Sequence, residues 1–404
     1  PDHFLSVAVG MKHSLVRARR FHHGGFSLVE LMVSVVIGLL AVLFATRMMT
    51  DGETTKRGAL GGSDSMQNGM MAMFSISGDA EQAGYGLNDP ILNGCDTLFT
   101  DNSGYALASA SRDGVGVTPL AAAVIVPGAD GKPDQLTMYA GSAPGGTGTT
   151  RLLTNYIGGN QLVVDRPLYG FAPGDVIVVA PENGEGKCAL AQVAALTAQG
   201  AAPAISIGDV RYRYNAGALE RNFDGSASRI FNLGREANLS FHTWLVQDGV
   251  LRLRATNLGA NGGAAHAVAD NIVSLKAQYG FDKRDAADFD PELGMQVGEW
   301  SSAMIDADLD GVTGGPGDYQ RIAALRIAVV ARAKTPERPG ADGVCTAQPQ
   351  AIKVFGNAQP QGVEPVEIEL DVRVKDDPVD WRCYRYRTFE TIVPLRNTGW
   401  RPTA

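Results

Sequence analysis

The sequence predicts an α+β protein in which one long N-terminal helix precedes a region rich in β-strands. An apolar run from Phe26 to Phe44 is followed by a loose helical pattern that extends to about Ala83. Beyond it, short runs of β-branched and aromatic residues alternate with glycine-rich turns, a pattern typical of strands. The chain has 404 residues, of which 45% are hydrophobic. It is therefore long enough to form a large core after the helix.

The apolar run is long enough to cross a membrane. Residues 26–46 form a helix-compatible segment of about 20 residues, which at about 1.5 Å per residue spans the roughly 30 Å hydrocarbon layer. Four cations, Lys12, Arg17, Arg19 and Arg20, precede the run, and the positive-inside rule keeps such an end in the cytoplasm. We therefore expect a single membrane-spanning helix with the rest of the chain exported.

Residues 1–25 form a basic leader with an unusual cleavage position. An ordinary secretory signal has its small-residue cleavage site after the apolar run, whereas Gly24 and Gly25 stand before it. Cleavage between Gly25 and Phe26 would leave the apolar helix at the new N-terminus. We expect translation to begin at Met11, so that residues 1–10 are upstream sequence.

Glu30 is a charged residue inside the apolar run. A charge deep in a bilayer costs roughly 2.5–3.5 kcal/mol on insertion scales, which makes Glu30 a candidate functional residue. The alternative is an ordinary membrane anchor in which Glu30 lies at the depth of the headgroups and has no further role.

The segment from Gly25 to Ser34, with the sequence GFSLVELMVS, resembles the type IV prepilin signature. The resemblance implies that a prepilin peptidase cleaves after Gly25 and methylates the amine of Phe26. It also implies that Glu30 pairs with the N-terminal ammonium of a neighbouring subunit in a filament core. That pairing is physically reasonable because a buried carboxylate is tolerated when it is paired and hydrogen-bonded.

Later segments narrow the resemblance to the larger minor pilins of the PilW type. Asp79 to Tyr85 (DAEQAGY) is similar to the helix exit of that group, and residues 272–281, 325–332 and 388–397 are similar to its strands. The resemblance implies a type IV pilin-like fold, with the long hydrophobic helix packed on an antiparallel β-sheet. Residues 86–210 resemble no family.

These observations predict the organisation of the chain after the apolar segment. We expect the helix to continue outside the membrane over residues 47–85. A β-rich insert should then occupy residues 86–210, and a pilin-type sheet residues 211–404. Strands are predicted within the insert at 136–139, 161–164 and 175–179.

Several local predictions accompany this organisation. The glycines between Gly58 and Gly69 weaken the helical pattern by about 1 kcal/mol each, so we expect a softened middle, or two helices with a joint near Gly61. Residues 212–221 and 244–254 predict β-hairpins, the second with Asp248-Gly249 as its turn. Residues 269–271 predict a short helix or turn before a strand.

The charge and the aromatic residues argue against bulk nucleic-acid binding. The formal net charge is −8, and an acidic surface repels nucleic acid. Arginine and aromatic residues alternate in 211–214 and 381–387, a spacing that could form a local basic patch. The period of two is better explained by amphipathic strands with the aromatic rings inward.

The cysteines predict disulfide bonds. Cys95, Cys188, Cys345 and Cys383 all follow the membrane segment, and an even number in an oxidising compartment favours two disulfides. Because neighbours in sequence close the shorter loops, we favour Cys95 with Cys188 and Cys345 with Cys383. The alternative is four buried free thiols.

Residues 306–311, with the sequence DADLDG, resemble the opening of a calcium loop. Alternating carboxylates from Asp306, Asp308 and Asp310 can converge on one ion. An EF-hand has Glu at its twelfth position, but here Gly317 stands there and Asp318 follows. The loop could close around calcium through Asp318, or it could be a solvated acidic turn that binds no metal.

Taken together, the sequence predicts a non-enzymatic minor pilin that primes pilus assembly, occupies the pilus tip and supports twitching motility. No nucleophile elbow, phosphate loop or dinucleotide fingerprint occurs in a suitable context. The expected partners are the prepilin peptidase, other minor pilins and the major pilin. The expected location is the inner membrane, with a periplasmic C-terminal domain, and then the pilus. A type II secretion minor pseudopilin, a pilus-tip adhesin and a plain anchored protein are the alternatives.

Overall fold

The computed structural model describes residues 27–143, 148–184, 186–197, 202–258, 263–340 and 342–397, with the backbone alone at residues 51 and 53–61. The chain divides into two compact units, the first ending at Arg57 and the second beginning at Gly58. An N-terminal apolar helix and several antiparallel sheets make up the described residues. The α+β class predicted from the sequence is confirmed.

The N-terminal helix, α1, is continuous over 55 residues, Leu28–Gln82. It passes through Gly58, Gly61 and Gly62 without a break, so the two-helix alternative is wrong, and the softened middle stays a prediction. Glycine weakens a helix, but an established helix gains a backbone hydrogen bond for every residue it adds. After its end, Gly84 and Gly86 take φ values of 81° and 76°, which glycine reaches without steric cost.

The remainder of the chain is mainly β-structure. One short helix, α2 (Pro316–Gln320), lies among the strands. In chain order the strands are β1 (Cys95–Leu98), β2 (Ala110–Arg112), β3 (Val115–Val117), β4 (Pro119–Leu120), β5 (Ala123–Val126), β6 (Gln135–Ala140), β7 (Thr149–Arg151), β8 (Gln161–Val163), β9 (Asp175–Pro181), β10 (Cys188–Gln192), β11 (Ala195–Thr197), β12 (Ala204–Ser206), β13 (Ser228–Arg235), β14 (Ser240–Gln247), β15 (Val250–Ala255), β16 (His266–Asp270), β17 (Ile272–Phe281), β18 (Glu299–Ser301), β19 (Ile322–Arg332), β20 (Lys353–Val354), β21 (Ile368–Glu369) and β22 (Tyr386–Pro394).

The larger sheets combine strands from distant parts of the chain. A six-stranded sheet has the order β4-β1-β10-β9-β13-β7, a five-stranded sheet β16-β15-β14-β6-β5 and a four-stranded sheet β18-β17-β19-β22. Strands β13 and β14 follow residue 210, yet they pair with β9 and β6, which precede it. The boundary predicted at residue 210 therefore does not separate an insert from an independent sheet.

Two hydrophobic cores share the strand β9. Val176 and Val178 belong to the large core, which also contains Ile76 of α1. Ile177 and Val179 point the other way, into a second core beside β8 and β12. Successive side chains of a strand point to opposite faces, so a strand covered on both faces is apolar throughout. This explains why the run from Asp175 to Pro181 is buried at every position.

The second half of α1 lies along β22 and runs in the same direction. Gly62 of the helix is near Arg387, and Gly69 lies directly over the ring of Phe389. Further on, the Asn397 side chain donates hydrogen bonds of 3.2 Å to the carbonyls of Glu81 and Ala83. The close approach at Gly69 is possible because glycine has no side chain.

The local predictions for the strands had mixed outcomes. The strands predicted at 136–139, 161–164 and 175–179 lie within or overlap β6, β8 and β9, and the hairpin at Asp248-Gly249 joins β14 to β15. The hairpin predicted at 212–221 is wrong, because these residues form turns and no strand. The short helix or turn at 269–271 is also wrong in part: β16 extends to Asp270, and Asn271 alone turns the chain with a φ of 57°.

Replacing Gly69 by Ala should destabilise the protein by about 1–3 kcal/mol, because a Cβ at this position overlaps the Phe389 ring and overpacking forces the neighbours apart. Gly78 of the same helix has open space around it. Gly78→Ala should therefore be neutral or stabilising by up to about 1 kcal/mol, because alanine favours the helix. Urea unfolding of the full chain in detergent measures both, and equal effects of the two substitutions would contradict the packing described here.

Candidate functional site: the N-terminal helix and an acidic loop

The first part of α1 exposes a mainly apolar surface, with Glu30 and Arg47 as its charged residues. The stretch Leu28–Thr50 has 23 residues and is long and apolar enough to span a membrane. Its large side chains are exposed, among them Leu31 at 57% and Phe44 at 67%. Each buried Å² of apolar surface is worth roughly 25 cal/mol, so burial of this stretch in a bilayer or among neighbouring helices would be favourable.

Glu30 lies in the first turn of α1 and its side chain is exposed. A carboxylate at this end is favoured because the backbone N–H groups of the first turn carry partial positive charge. Gly25 and Phe26, the predicted cleavage and methylation positions, lie outside the described residues. The pairing of Glu30 with a neighbouring N-terminus stays a prediction.

Asp79 connects the end of α1 to the five-stranded sheet. One of its carboxylate oxygens, Oδ2, lies 2.7 Å from Nδ1 of His242 and accepts a hydrogen bond of 2.7 Å from the indole nitrogen of Trp244. His242 and Trp244 are neighbours on the same face of β14, and the other ring nitrogen of His242 is 3.0 Å from Asn257. The sequence singled out Asp79 by resemblance alone, since its partners are more than 160 residues away.

The four cysteines form two disulfides. Cys95 is bonded to Cys188 and Cys345 to Cys383, which is the pairing that the shorter loops favour. The first bond joins the starts of β1 and β10, which pair in parallel. The second joins the loop after β19 to the segment before β22. Bonds that close loops of this length typically stabilise a fold by about 2–4 kcal/mol.

The acidic loop between β18 and β19 gathers three of the four predicted carboxylates. Oxygens of Asp306, Asp308 and Asp318 all lie within 4.8 Å of one another. Asp310 is not part of this group: it is exposed, and its Oδ1 accepts a hydrogen bond of 2.7 Å from the Val312 amide. The structure therefore brings Asp318 into the cluster, as predicted, and leaves Asp310 at its rim.

Asp318 organises the loop through its backbone contacts. Its Oδ1 accepts hydrogen bonds from the amides of Ala307 and Asp308, and its Oδ2 accepts from Gly314 and Gly315. The side chain is completely buried. These bonds explain why the loop closes at position 318, and they leave Asp318 few free lone pairs for a metal.

The negative charges of the cluster are only partly balanced by hydrogen bonds. Oδ1 of Asp306 is buried and accepts no hydrogen bond from the part of the chain that the structure describes. Burial raises the pKa of the Asp318 carboxyl to about 6. Burial and the nearby charges of Asp310 and Asp306 likewise raise the pKa of Asp308 above its ordinary value. A cation bound here would offset the repulsion between these carboxylates, and oxygen ligands are those that calcium prefers. Calcium binding stays a prediction.

The arginine-rich segments do not form the amphipathic strands predicted at 211–214 and 381–387. Arg213 is held by Asp101 in a two-pronged ion pair, with distances of 2.7 and 2.8 Å, and Arg211 pairs with Asp209. Trp381–Cys383 forms a 3-10 turn, and β22 begins only at Tyr386. Arg211, Arg213, Arg382 and Arg385 are therefore paired with neighbouring carboxylates, whereas Arg387 pairs with none of the side chains that the structure describes.

Comparison with known proteins agrees with this geometry at both ends of the chain. Residues 20–46 match the prokaryotic N-terminal methylation motif, and residues 243–397 match the family described as Type IV Pilus-assembly protein W. The second match runs from β14 to the residues after β22. No curated protein and no solved structure matches the chain.

The motif and the apolar helix define a prepilin-like protein, whose signal implies cleavage by a prepilin peptidase and interaction with other pilus components. Within that class, the match over residues 243–397 supports a type IV minor pilin of the PilW type. The family is structural and not enzymatic.

Replacing Asp79 by Ala should lower the free energy of unfolding by about 1–3 kcal/mol, because His242 and Trp244 lose a charged acceptor. Glu81→Ala is the matched control, since Glu81 is exposed and also carries one negative charge near the end of α1. Thermal unfolding of the full chain in detergent compares the two. An Asp79 variant as stable as the Glu81 variant would show that these bonds do not hold the helix to the sheet.

If the acidic loop binds calcium, calcium should raise the melting temperature of the protein. At a concentration about 100 times the Kd, the free energy of unfolding should rise by about 2.7 kcal/mol. Asp308→Asn should abolish the calcium effect because it removes a ligand of the cluster. Asp310→Asn should keep most of it, and Glu364→Gln, which removes an exposed charge elsewhere, should keep all of it. Identical calcium responses from wild type and Asp308→Asn would end the calcium interpretation.

Proposed function

We propose that this minor pilin primes assembly of the type IV pilus and occupies the pilus tip, in support of twitching motility. The observation that carries the proposal is the bulk of the second unit, which begins at Gly58. In addition to the strands of the family match, it contains a six-stranded sheet with strands from residues 95–235. Bulk of this kind would collide with neighbours along a helical shaft, whereas a tip position leaves it free.

The same proposal assigns a location to each part of the chain. Before assembly, Leu28–Thr50 would span the inner membrane and the second unit would lie in the periplasm. The positive charges before the apolar stretch support this orientation. The two disulfides support an oxidising compartment such as the periplasm.

During assembly the helix would exchange lipid for the helices of other subunits. The close approach of α1 to β22 at Gly69 and Phe389 supports a pilin-like arrangement of helix and sheet. In this state Glu30 would accept the methylated ammonium of a neighbouring subunit. Because a buried carboxylate is unfavourable without a partner, this pair would set the depth at which each subunit enters the filament.

Adhesion is a second candidate function, favoured by one observation. Residues 86–242 lie outside the family match, and part of this region has its own hydrophobic core around β8, β9 and β12. A surface of this kind could contact a ligand at the tip. In that case its removal would abolish attachment and leave pilus assembly intact.

Glu30→Leu should prevent incorporation into pili and leave the second unit folded. Mass spectrometry should find that the mature wild-type chain begins at N-methylated Phe26, and shear preparations of pili should contain the wild type but not the variant. Ser34→Ala is the control, because Ser34 lies one turn further along the same helix and its hydroxyl donates to the Leu31 carbonyl, its one partner among the described residues.

Deleting the gene should abolish surface pili and twitching, and an antibody against the second unit should label pilus ends. Loss of protein secretion with normal pili would instead indicate a type II secretion pseudopilin. An uncleaved leader would overturn the proposal at its first step.

A further inference from the structure

The edge of the four-stranded sheet at β22 is open in the part of the chain that the structure describes. β22 has nine residues and pairs with β19 along one side. The opposite edge of this sheet, β18, has only three residues. A long unpaired edge strand presents backbone N–H and C=O groups to which another strand can bind.

Two hydrogen bonds determine which backbone groups of β22 face outward. At one end the Ala333 amide donates to the Arg385 carbonyl, and at the other the Leu395 amide donates to the Ala323 carbonyl. Bonding alternates along an antiparallel pair, so the odd-numbered residues between these ends bond to β19. The even-numbered residues point their backbone groups outward, namely Tyr386, Thr388, Glu390 and Ile392.

These outward groups have no partner among the described residues. None of their N–H or C=O groups takes part in a hydrogen bond beyond the β19 ladder, and Thr388 is exposed. Pro394 agrees with the assignment, since its position is also even-numbered. Proline is tolerated in an edge strand where its missing N–H would face outward.

The flank of α1 beside this edge is apolar. Asn68 points toward the far side of the sheet, where its amide donates a hydrogen bond of 3.0 Å to the Asp270 carbonyl just before β17. Met66 and Met70 are two positions away, about 160° around the helix, and therefore lie on the side of β22. They are 41% and 51% exposed. Methionine is flexible and adapts to varied apolar partners.

A cation completes the surface. The side chain of Arg387 is exposed, lies close to Gly62 of α1 and forms no ion pair with the side chains that the structure describes. The edge thus combines free backbone donors and acceptors, two methionines and one positive charge. This combination fits an extended segment with apolar residues at alternate positions and a carboxylate opposite Arg387.

A second copy of this chain fits the edge poorly. Two β22 strands paired antiparallel about a two-fold axis would point their α1 helices in opposite directions, because α1 runs in the same direction as β22. The Gly58 ends of both helices, however, lead to segments that must enter the same membrane. This geometry disfavours an antiparallel pair of copies, whereas a strand from a different subunit can add without reversing the direction of α1.

We propose that β22 accepts an extended β-strand of another pilus subunit, which adds to the four-stranded sheet beside Met66 and Met70. The inference rests on the proposed function for the source of the strand. The added strand would form a second contact between subunits, separate from the apolar part of α1. This contact would be made through backbone hydrogen bonds.

The test uses the full chain, co-expressed with each of the other pilin subunits of the same pilus in turn and purified in detergent. Thr388→Pro removes one outward N–H and leaves the β19 ladder intact, so it should weaken the complex by about tenfold or more. Thr388→Ala keeps the N–H and should bind as wild type does. Met70→Gln should weaken binding to a smaller extent, and Arg387→Gln should reduce its dependence on salt.

Hydrogen exchange provides a readout that does not depend on a variant. In the free chain the outward amides of Tyr386–Pro394 should exchange quickly, and complex formation should slow them. If Thr388→Pro fails to fold, as judged by thermal unfolding, this measurement on the wild type decides. Unchanged exchange in every complex, or full binding by folded Thr388→Pro, would overturn the proposal. Slowed exchange in the chain alone at high concentration would also overturn it, in favour of a second copy.

The outcomes separate this inference from the proposed function. Incorporation into pili that is lost in Glu30→Leu and unaffected by Thr388→Pro would leave the minor-pilin function standing and remove the strand-addition contact. Strand addition in purified complexes, together with absence of the wild-type chain from pili, would leave the strand-addition contact standing and remove the proposed position in the pilus.

Discussion

The packing of the second half of α1 against β22 is the contact on which the rest of the second unit depends. It brings a helix backbone onto an aromatic ring at Gly69 and Phe389, and it buries Ala72, Ile76 and Ala80 in the large core. Small side chains on this face allow the close approach, and the large strand residues opposite them supply the apolar surface. The hydrogen bonds of Asp79 and Asn397 then fix the position of the helix along its own axis relative to the strands, since hydrogen bonds are directional.

The same helix has to satisfy a different requirement before Gly58. Its apolar residues between Leu28 and Thr50 surround the helix and are exposed, whereas Ala72, Ile76 and Ala80 after Gly58 are buried in the large core. A helix that is apolar all round is suited to lipid or to a bundle of helices. Glu30 departs from this rule in both environments. Its position in the first turn is consistent with a role at the end of the helix, where the unpaired backbone N–H groups and a neighbouring ammonium both favour a negative charge.

The sequence predicted the elements whose cause is local. The apolar run, the Asp248-Gly249 turn and the disulfide pairing of neighbouring cysteines depend on residues that are near one another in the chain. The failed hairpin at 212–221 shows the opposite case. Arg213 is drawn into an ion pair with Asp101, which is 112 residues away, and this contact replaces the strand that the alternating pattern suggested. The partners of Asp79 were unpredictable for the same reason.

The acidic loop illustrates a partial success. The spacing of Asp306 and Asp308 correctly suggested carboxylates that converge, and Asp318 joined them because four backbone amides turn toward its side chain. Asp310 stayed outside because its carboxylate satisfies a nearby amide of its own loop. Residue types and spacing thus predicted the composition of the cluster, but the direction of each side chain depended on the backbone path between β18 and β19.

The pairing of distant strands restricts how the unmatched region can move. Residues 86–242 lie outside the family match, yet Leu136 and Thr137 of β6 pair with Trp244 and Thr243 of β14, and the large core contains side chains from both parts. The unmatched region therefore cannot move as an independent domain on a flexible linker, since any displacement would break sheet hydrogen bonds and open the core. Whatever surface it presents is held rigidly to the strands that pack against α1. A load applied to that surface would pass through the β6–β14 pairing and the large core to α1.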